Sequence, residues 1–222
     1  MTGVALVIPI KATLGAKQRL AARLATDQRR LLALAMAGDV LRTAVAAAGN
    51  RRVVVVAGDA DVDALCTRLE VTMLWERGAG QSTAVRMGAA WAREQGFTAV
   101  ATVAADCPLA SMEDVDALLV EATRRGRFLA CASDAESLGT NAAALRPLGV
   151  DPWRFGTDSL RRHRLAAEAL GLRFRVLDLP SLLIDCDRPD DLAGILQQPR
   201  PTATFHVLRQ LGLAPATAVA GP

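Results

Sequence analysis

Apolar positions in this chain gather into short solid runs separated by longer mixed segments. Val4 to Ile10, Val53 to Val56 and Ala99 to Val103 are apolar at nearly every position, the pattern of strands buried on both faces of a sheet. Val71 to Trp75, Phe128 to Ala132 and the run ending at Leu145 read the same way. Arg173 to Leu179 alternates apolar and polar residues, and Leu182 to Asp185 reads as one more strand. The intervening segments carry helical spacing. One helix starts near Ala16 to Leu20, and a second runs from Asp27 to Ala48 until Gly49-Asn50 stops it. Others cover Ala60 to Leu69, Ala84 to Gln95, a stretch capped by Ser111 and ending near Arg124, and Ser159 to Leu170. Asp190 to Gln197 is the next, with Pro189 in the favoured first turn.

Strand and helix alternate throughout, with no internal repeat and no linker. The expected fold class is α/β: a single-domain, Rossmann-like, three-layer fold on a mostly parallel mixed sheet, over residues 1-198. Residues 199-222 are expected to form a C-terminal tail with one short helix and a frayed end, Ala214 to Pro222.

Composition narrows the function classes. With 222 residues, one well-buried domain is favoured over two small ones, and 51% hydrophobic with 22% charged residues suits a soluble globular protein. No apolar run approaches the roughly 20 residues of a membrane span, and Met1 to Ile10 has neither a basic start nor a small-residue cleavage site. Cys66, Cys107, Cys131 and Cys186 show no C-x-x-C pairing and no zinc spacing, which points to reduced thiols and a cytoplasmic location. The formal charge is only +3, tyrosine is absent and aromatics make up 4%. A nucleic-acid surface normally shows a basic stripe with interleaved aromatics, so a small anionic substrate fits better. The pattern is compatible with a homodimer but does not require one.

The candidate chemistry sits at strand ends. Asp106 follows the nearly all-apolar run Ala99 to Val103, at a strand end where open α/β sheets bind ligands. Asp185 and Asp187 are two residues apart, so on an extended strand both carboxylates face the same way. Three acids delivered to one rim suit a hard cation such as Mg²⁺. Near the first strand, Lys11, Lys17 and Arg19 surround the loop Ala12 to Gly15, a strand–loop–helix arrangement able to cradle phosphate. The same piece also reads as an ordinary turn with solvated lysines, and the G-x-x-x-x-G-K-[ST] spacing is absent. Gly78 and Gly80, followed by Ser82, make a loop able to approach a ligand closely, without a third glycine for a dinucleotide fingerprint. Asp158 and Ser159 fit a helix cap, Asn141 fits a residue tying down its turn, and His163 on a helix face is more often packing than catalysis. Cys107 and Cys186 flank the acids, and no chemistry is assigned to them. Together these residues point to a magnesium-dependent phosphoryl or nucleotidyl site.

Five pieces in order resemble the phosphoenolpyruvate / 2-phospho-L-lactate guanylyltransferase family, within the nucleotidyltransferases that resemble molybdopterin guanylyltransferases. They are Ile8-Pro9-Ile10-Lys11 with Ala16-Lys17-Gln18-Arg19-Leu20, then Ala105-Asp106-Cys107-Pro108, then Gly139-Thr140-Asn141. Phe155-Gly156-Thr157-Asp158-Ser159 with His163 follows, and Asp185-Cys186-Asp187-Arg188-Pro189-Asp190-Asp191-Leu192 closes the set. The resemblance implies transfer of guanosine monophosphate (GMP) from GTP to a three-carbon phosphorylated acid, with release of pyrophosphate, in coenzyme F-420 biosynthesis. It implies Mg²⁺ on Asp106, Asp185 and Asp187, and nucleotide phosphates facing Lys11, Lys17 and Arg19. Thr140, Gly156 and Ser159 would hold the acceptor acid. Family members commonly carry glycine where this chain has Asp158, an aromatic where it has Leu160, and a Leu-Asn pair where it has Gln81-Ser82-Thr83. Of the acceptors 2-phospho-L-lactate, phosphoenolpyruvate and 3-phospho-D-glycerate, only the last brings a free hydroxyl that Asp158 could accept from. That makes 3-phospho-D-glycerate the expected acceptor.

Overall fold

The computed structural model describes residues 3–13, 15–76, 78–197 and 202–213. Seven strands form one sheet: β1 (Val4–Pro9), β2 (Val53–Ala57), β3 (Thr72–Trp75), β4 (Ala99–Val103), β5 (Phe128–Ala132), β6 (Ala142–Arg146) and β7 (Arg173–Leu177). Their order across the sheet is β3-β2-β1-β4-β6-β5-β7. All neighbouring pairs are parallel except those of β6, which runs antiparallel to both β4 and β5. This is the α/β, mostly parallel mixed sheet that the apolar runs predict.

Burial on both faces explains why the strands are solidly apolar. Leu6 and Ile8 of β1 pack into one cluster with α1 (Thr26–Ala48), α2 (Ala60–Arg68) and α4 (Met112–Thr123). Val7 points the other way, into a cluster with α3 (Gln81–Glu94) and α5 (Ser159–Ala169). Gly88 lets α3 press onto β1, because a methyl there would collide with the Val7 side chain. By length and composition α1 could cross a membrane, yet half of its most apolar stretch is buried against the sheet. It is a core helix here.

A third cluster matters most for the site. Leu20, Leu32, Met36, Cys186, Ile195 and Leu208 pack together, joining the segment after β1 to α6 (Pro189–Leu196) and α7 (Ala203–Gln210). Asp39 of α1 fastens α7 by accepting from the backbone N–H groups of Ala203 and Thr204 and from the Thr204 hydroxyl. The segment Ala214 to Pro222 lies outside the described residues.

Two local expectations fail. Leu182 to Asp185 is not a strand: Pro180–Leu182 forms a single 3-10 turn, and the acids beyond it lie on irregular backbone. The backbone groups there find their partners elsewhere, through Asn141, Ala135 and Asp106, so no ladder forms. The helix expected from Ala16 to Leu20 is likewise one 3-10 turn, Gln18–Leu20, entered through Lys17 in a left-handed conformation (φ 52°). The buried Arg29 guanidinium donates to the carbonyls of Ala16 and Leu24, which holds the loop in that shape.

Candidate active site

The strand order places the site. β1 lies between β2 and β4, so connections leave to opposite sides at the β1–β4 boundary, where a crevice opens at the strands' carboxyl ends. A cleft of about 570 Å³ occupies that position. Lys11 follows β1 into it, Glu76 follows β3, and Ala104 to Asp106 follow β4.

The acid-bearing stretches are fastened to each other. The Cys186 N–H donates to the Asp106 carbonyl at 2.9 Å. Asn141 donates through its side-chain amide to the Leu182 carbonyl at 2.9 Å. Ser181 bonds to Asp114 through its N–H and to the Ser111 N–H through its hydroxyl. As a result, ligand oxygens of Asp106, Asp185 and Asp187 lie within 4.8 Å of one another, and all three residues are half-buried. The three acids that sequence spacing singled out therefore meet, although one strand end and one irregular segment deliver them.

Lys17 sits among them. Its ammonium donates to Asp106 at 2.9 Å and to Asp187 at 2.8 Å, and its side chain is 8% exposed. Burial alone would lower its pKa, but Asp106 and Asp187 outweigh that and hold it above the ordinary lysine range. Asp187 is held below the usual carboxylate range despite its burial, chiefly by Lys17. Among the described residues Asp185 has no such ion-pair partner. Burial first, then Asp106 and Asp187, push it up to about 6. Two like charges ~4 Å apart repel by ~4 kcal/mol at an effective dielectric of ~20, so the cluster gains from further positive charge. Three carboxylates against the Lys17 ammonium and the exposed Arg19, 3.5 Å from Asp187, leave the cluster net negative, and an all-oxygen donor set suits Mg²⁺. The residues present fit that ion.

Of the residues expected to face the nucleotide, four line the same cleft, whereas Arg19 and Ser82 are not on its wall. Lys11, Lys17, Gly78 and Gly80 all border it. Gly78 and Gly80 have φ of 91° and 92°, a conformation that glycine adopts at little cost, and Gly80 caps α3. Glu76 accepts from the N–H groups of Gly78 and Ala79, shaping the loop with the carboxylate at its base. Arg19 reaches the rim at 3.5 Å from Asp187. Leu14 and Arg77, within the two predicted loops, lie outside the described residues. Asp59 was not foreseen: at the start of α2 it accepts from the Thr13 N–H at 2.8 Å and from the Thr13 hydroxyl at 2.6 Å, pinning the loop that carries Lys11 and Lys17.

The residues expected at the acceptor form a separate group, none of them on the cleft wall. His163 and Ser159 are buried, as is Thr140. His163 Nδ1 lies 3.1 Å from Thr140 Oγ1, which lies 3.1 Å from Ser159 Oγ. Its Nε2 accepts from the Arg154 N–H at 3.0 Å. Phe155 packs edge-on to the imidazole, 4.8 Å away. Burial, reinforced by Arg154 and Arg162, lowers the His163 pKa to about 4, so the ring is neutral. Gly156 (φ 109°) and Asp158 (φ 55°) turn the chain between Phe155 and α5. Ser82 joins the two halves, because its hydroxyl accepts from the Phe155 N–H at 3.0 Å. All four cysteines are buried free thiols.

Residues 4–219 match the family model described as guanylyl transferase CofC like. The phosphoenolpyruvate guanylyltransferase of Conexibacter woesei is 38% identical over 191 residues, covering 85% of each chain. The 3-phospho-D-glycerate guanylyltransferase of Phenylobacterium zucineum is 34% identical over 210 residues, covering 92% of this chain and 95% of its own. Among solved structures, a protein assigned as a nucleotide-diphospho-sugar transferase from Desulfovibrio desulfuricans G20 superposes with a TM-score of 0.74 at 16% identity, covering 96% of each chain. That similarity speaks to the fold alone. The sequence matches speak to kinship: this chain belongs to the CofC-like guanylyl transferase family.

Proposed function

We propose that this protein transfers GMP from GTP to a phosphorylated three-carbon acid and releases pyrophosphate, as a step toward coenzyme F-420. The observation that carries the reading is the meeting of Asp106, Asp185 and Asp187 beside Lys17 at the mouth of the β1–β4 cleft. In this reaction an oxygen of the acceptor's phosphate attacks the α-phosphorus of GTP, a new P–O bond forms, and the bond to pyrophosphate breaks. A phosphate monoester has a second pKa near ~6, so the nucleophile is already ionised at neutral pH and no general base is needed. The barrier is the approach of one anion to another. Lys11 and Lys17 face the nucleotide phosphates and offset that repulsion. The three aspartates would hold Mg²⁺, which when bound supplies charge neutralisation to the triphosphate and the departing pyrophosphate. The loop pinned by Asp59 and Thr13 fixes where the two lysines stand, so positioning is built before substrate arrives.

For the acceptor, Asp158 favours 3-phospho-D-glycerate through its free hydroxyl. Phosphoenolpyruvate is the second reading, favoured by the names of relatives at 38% identity. The test is a matrix of GTP, ATP, CTP and UTP against 3-phospho-D-glycerate, phosphoenolpyruvate and 2-phospho-L-lactate, following pyrophosphate. The expected outcome is release with GTP and Mg²⁺ only, fastest with phosphoglycerate and abolished by chelation. Release with another nucleotide but not GTP would overturn the reading.

A further inference from the structure

The buried group around His163 has a polarity that can be worked out atom by atom. Nε2 takes the Arg154 N–H at 3.0 Å, so that nitrogen is the acceptor and the ring proton resides on Nδ1. Nδ1 then donates to the Thr140 oxygen at 3.1 Å. Thr140 and Ser159 are 3.1 Å apart, and one of their two hydroxyl protons fills that contact. One hydroxyl proton of the pair remains uncommitted. A cationic imidazole, or the other tautomer, would set an N–H against the Arg154 N–H and is excluded by the geometry.

We propose that His163 is a positioning residue for the acceptor acid: by donating from Nδ1 it occupies a Thr140 lone pair and so holds the one uncommitted hydroxyl proton of the Thr140–Ser159 pair turned outward, to donate to the anionic acceptor. Without that ring proton the pair still has one uncommitted proton, but nothing fixes its direction, and a lone pair is free to turn toward an anion it would repel. The ring also fixes the Arg154 to Asp158 turn through the Arg154 N–H, and Ser82 holds the same turn at Phe155. His163 itself is fully buried and meets no substrate, so its action passes through the two hydroxyls. The inference rests on the acceptor reading given above.

Three replacements separate the functions of the ring. Asn reaches where Nδ1 stands and can still donate to Thr140; Gln reaches where Nε2 stands and can serve only Arg154; Phe keeps the volume and serves neither. The measurement is steady-state pyrophosphate release, with KM for the acid and for GTP determined separately. H163Q and H163F are expected to raise the acid KM by about 10-fold or more, the effect of one lost hydrogen bond to a charged group. KM for GTP and kcat should stay within about 3-fold, and H163N should keep the acid KM within about 3-fold of wild type. If H163F does not fold, H163Q carries the test. Acid KM unchanged in H163Q, or acid and GTP KM rising together, overturns the inference. Failure of the underlying reading shows separately, as wild-type protein that releases pyrophosphate with none of the acids, and the inference falls with it.

Discussion

The two halves of the candidate site solve opposite electrostatic problems. Around Asp106 the groups are charged, half-exposed and mutually repulsive, and Lys17 neutralises only part of the negative charge. Around His163 they are neutral, buried and bonded in one connected chain. An incompletely neutralised cluster is poised for a strong cation and the polyanion that comes with it. A satisfied cluster is rigid, and its selectivity lies in which way its protons point. Affinity and turnover should therefore depend on the first half, and discrimination among small acids on the second.

The strongest way to break that contrast is to remove charge from the first half. Asp106→Asn keeps the shape and the backbone bond to Cys186 but takes one carboxylate from the cluster. We expect kcat for pyrophosphate release to fall by about 10³-fold, in the range found when a preorganised electrostatic group is lost from a reaction site. The acid KM should change little, since the Thr140–His163 group does not border the cleft. An Asp106→Asn protein retaining a tenth of wild-type turnover would mean that the three acids are only a structural knot.

The second half can be probed by pH, without substrate. His163 has a folded-state pKa near 4, below its ordinary 6.5. The unfolded chain therefore takes up a proton first as pH falls. The stability that the neutral ring contributes is complete above about pH 6.5 and is lost progressively toward pH 4. Between pH 7 and pH 5 this amounts to about 2 kcal/mol. Denaturant unfolding of wild type should therefore lose about 2 kcal/mol more over that interval than unfolding of His163→Asn, which has nothing to titrate there. Parallel pH profiles for the two proteins would show that the ring is not held neutral.

These halves were unequally legible in the sequence. Asp106 could be found because a run apolar at all but Thr102 leads up to it, and a strand buried on both faces fixes where its end must lie. Asp185 and Asp187 were identified as a pair but wrongly placed on a strand. Asn141, 41 residues from Leu182, takes the Leu182 carbonyl that a ladder would have used, and no local pattern announces such a partner. The Thr13–Asp59 clamp spans 46 residues and was missed for the same reason: each residue alone looks like a turn or a cap. His163 was noted as a helix-face residue. Its complete burial and its tautomer depend on the Arg154 N–H, which only the folded turn presents. Local pattern located the elements, and long-range hydrogen bonds decided what their ends could do.

The smallest expected effect falls on Asp158, in the turn that leads into α5. Its backbone is left-handed (φ 55°), a conformation glycine adopts freely and aspartate tolerates better than most residues. Among the described residues its carboxylate meets only Arg161, at 3.5 Å, and it is 39% exposed. Two roles thus compete at one position: backbone permissiveness, which would explain glycine in relatives, and recognition of an acceptor hydroxyl. Three substitutions separate them. Asp158→Ala strains the turn by about 1 kcal/mol and should lower Tm, whereas Asp158→Gly and Asp158→Asn should not. If the carboxylate reads the hydroxyl, Gly and Asn should each cut kcat/KM for 3-phospho-D-glycerate relative to phosphoenolpyruvate by about 5-fold, the effect of a solvent-screened hydrogen bond of ~1 kcal/mol. If the position serves the backbone alone, that ratio stays fixed in both while Tm still separates Ala from Gly. Because the ratio and the melting point report different roles, one set of proteins assigns Asp158 to the acceptor or to the turn.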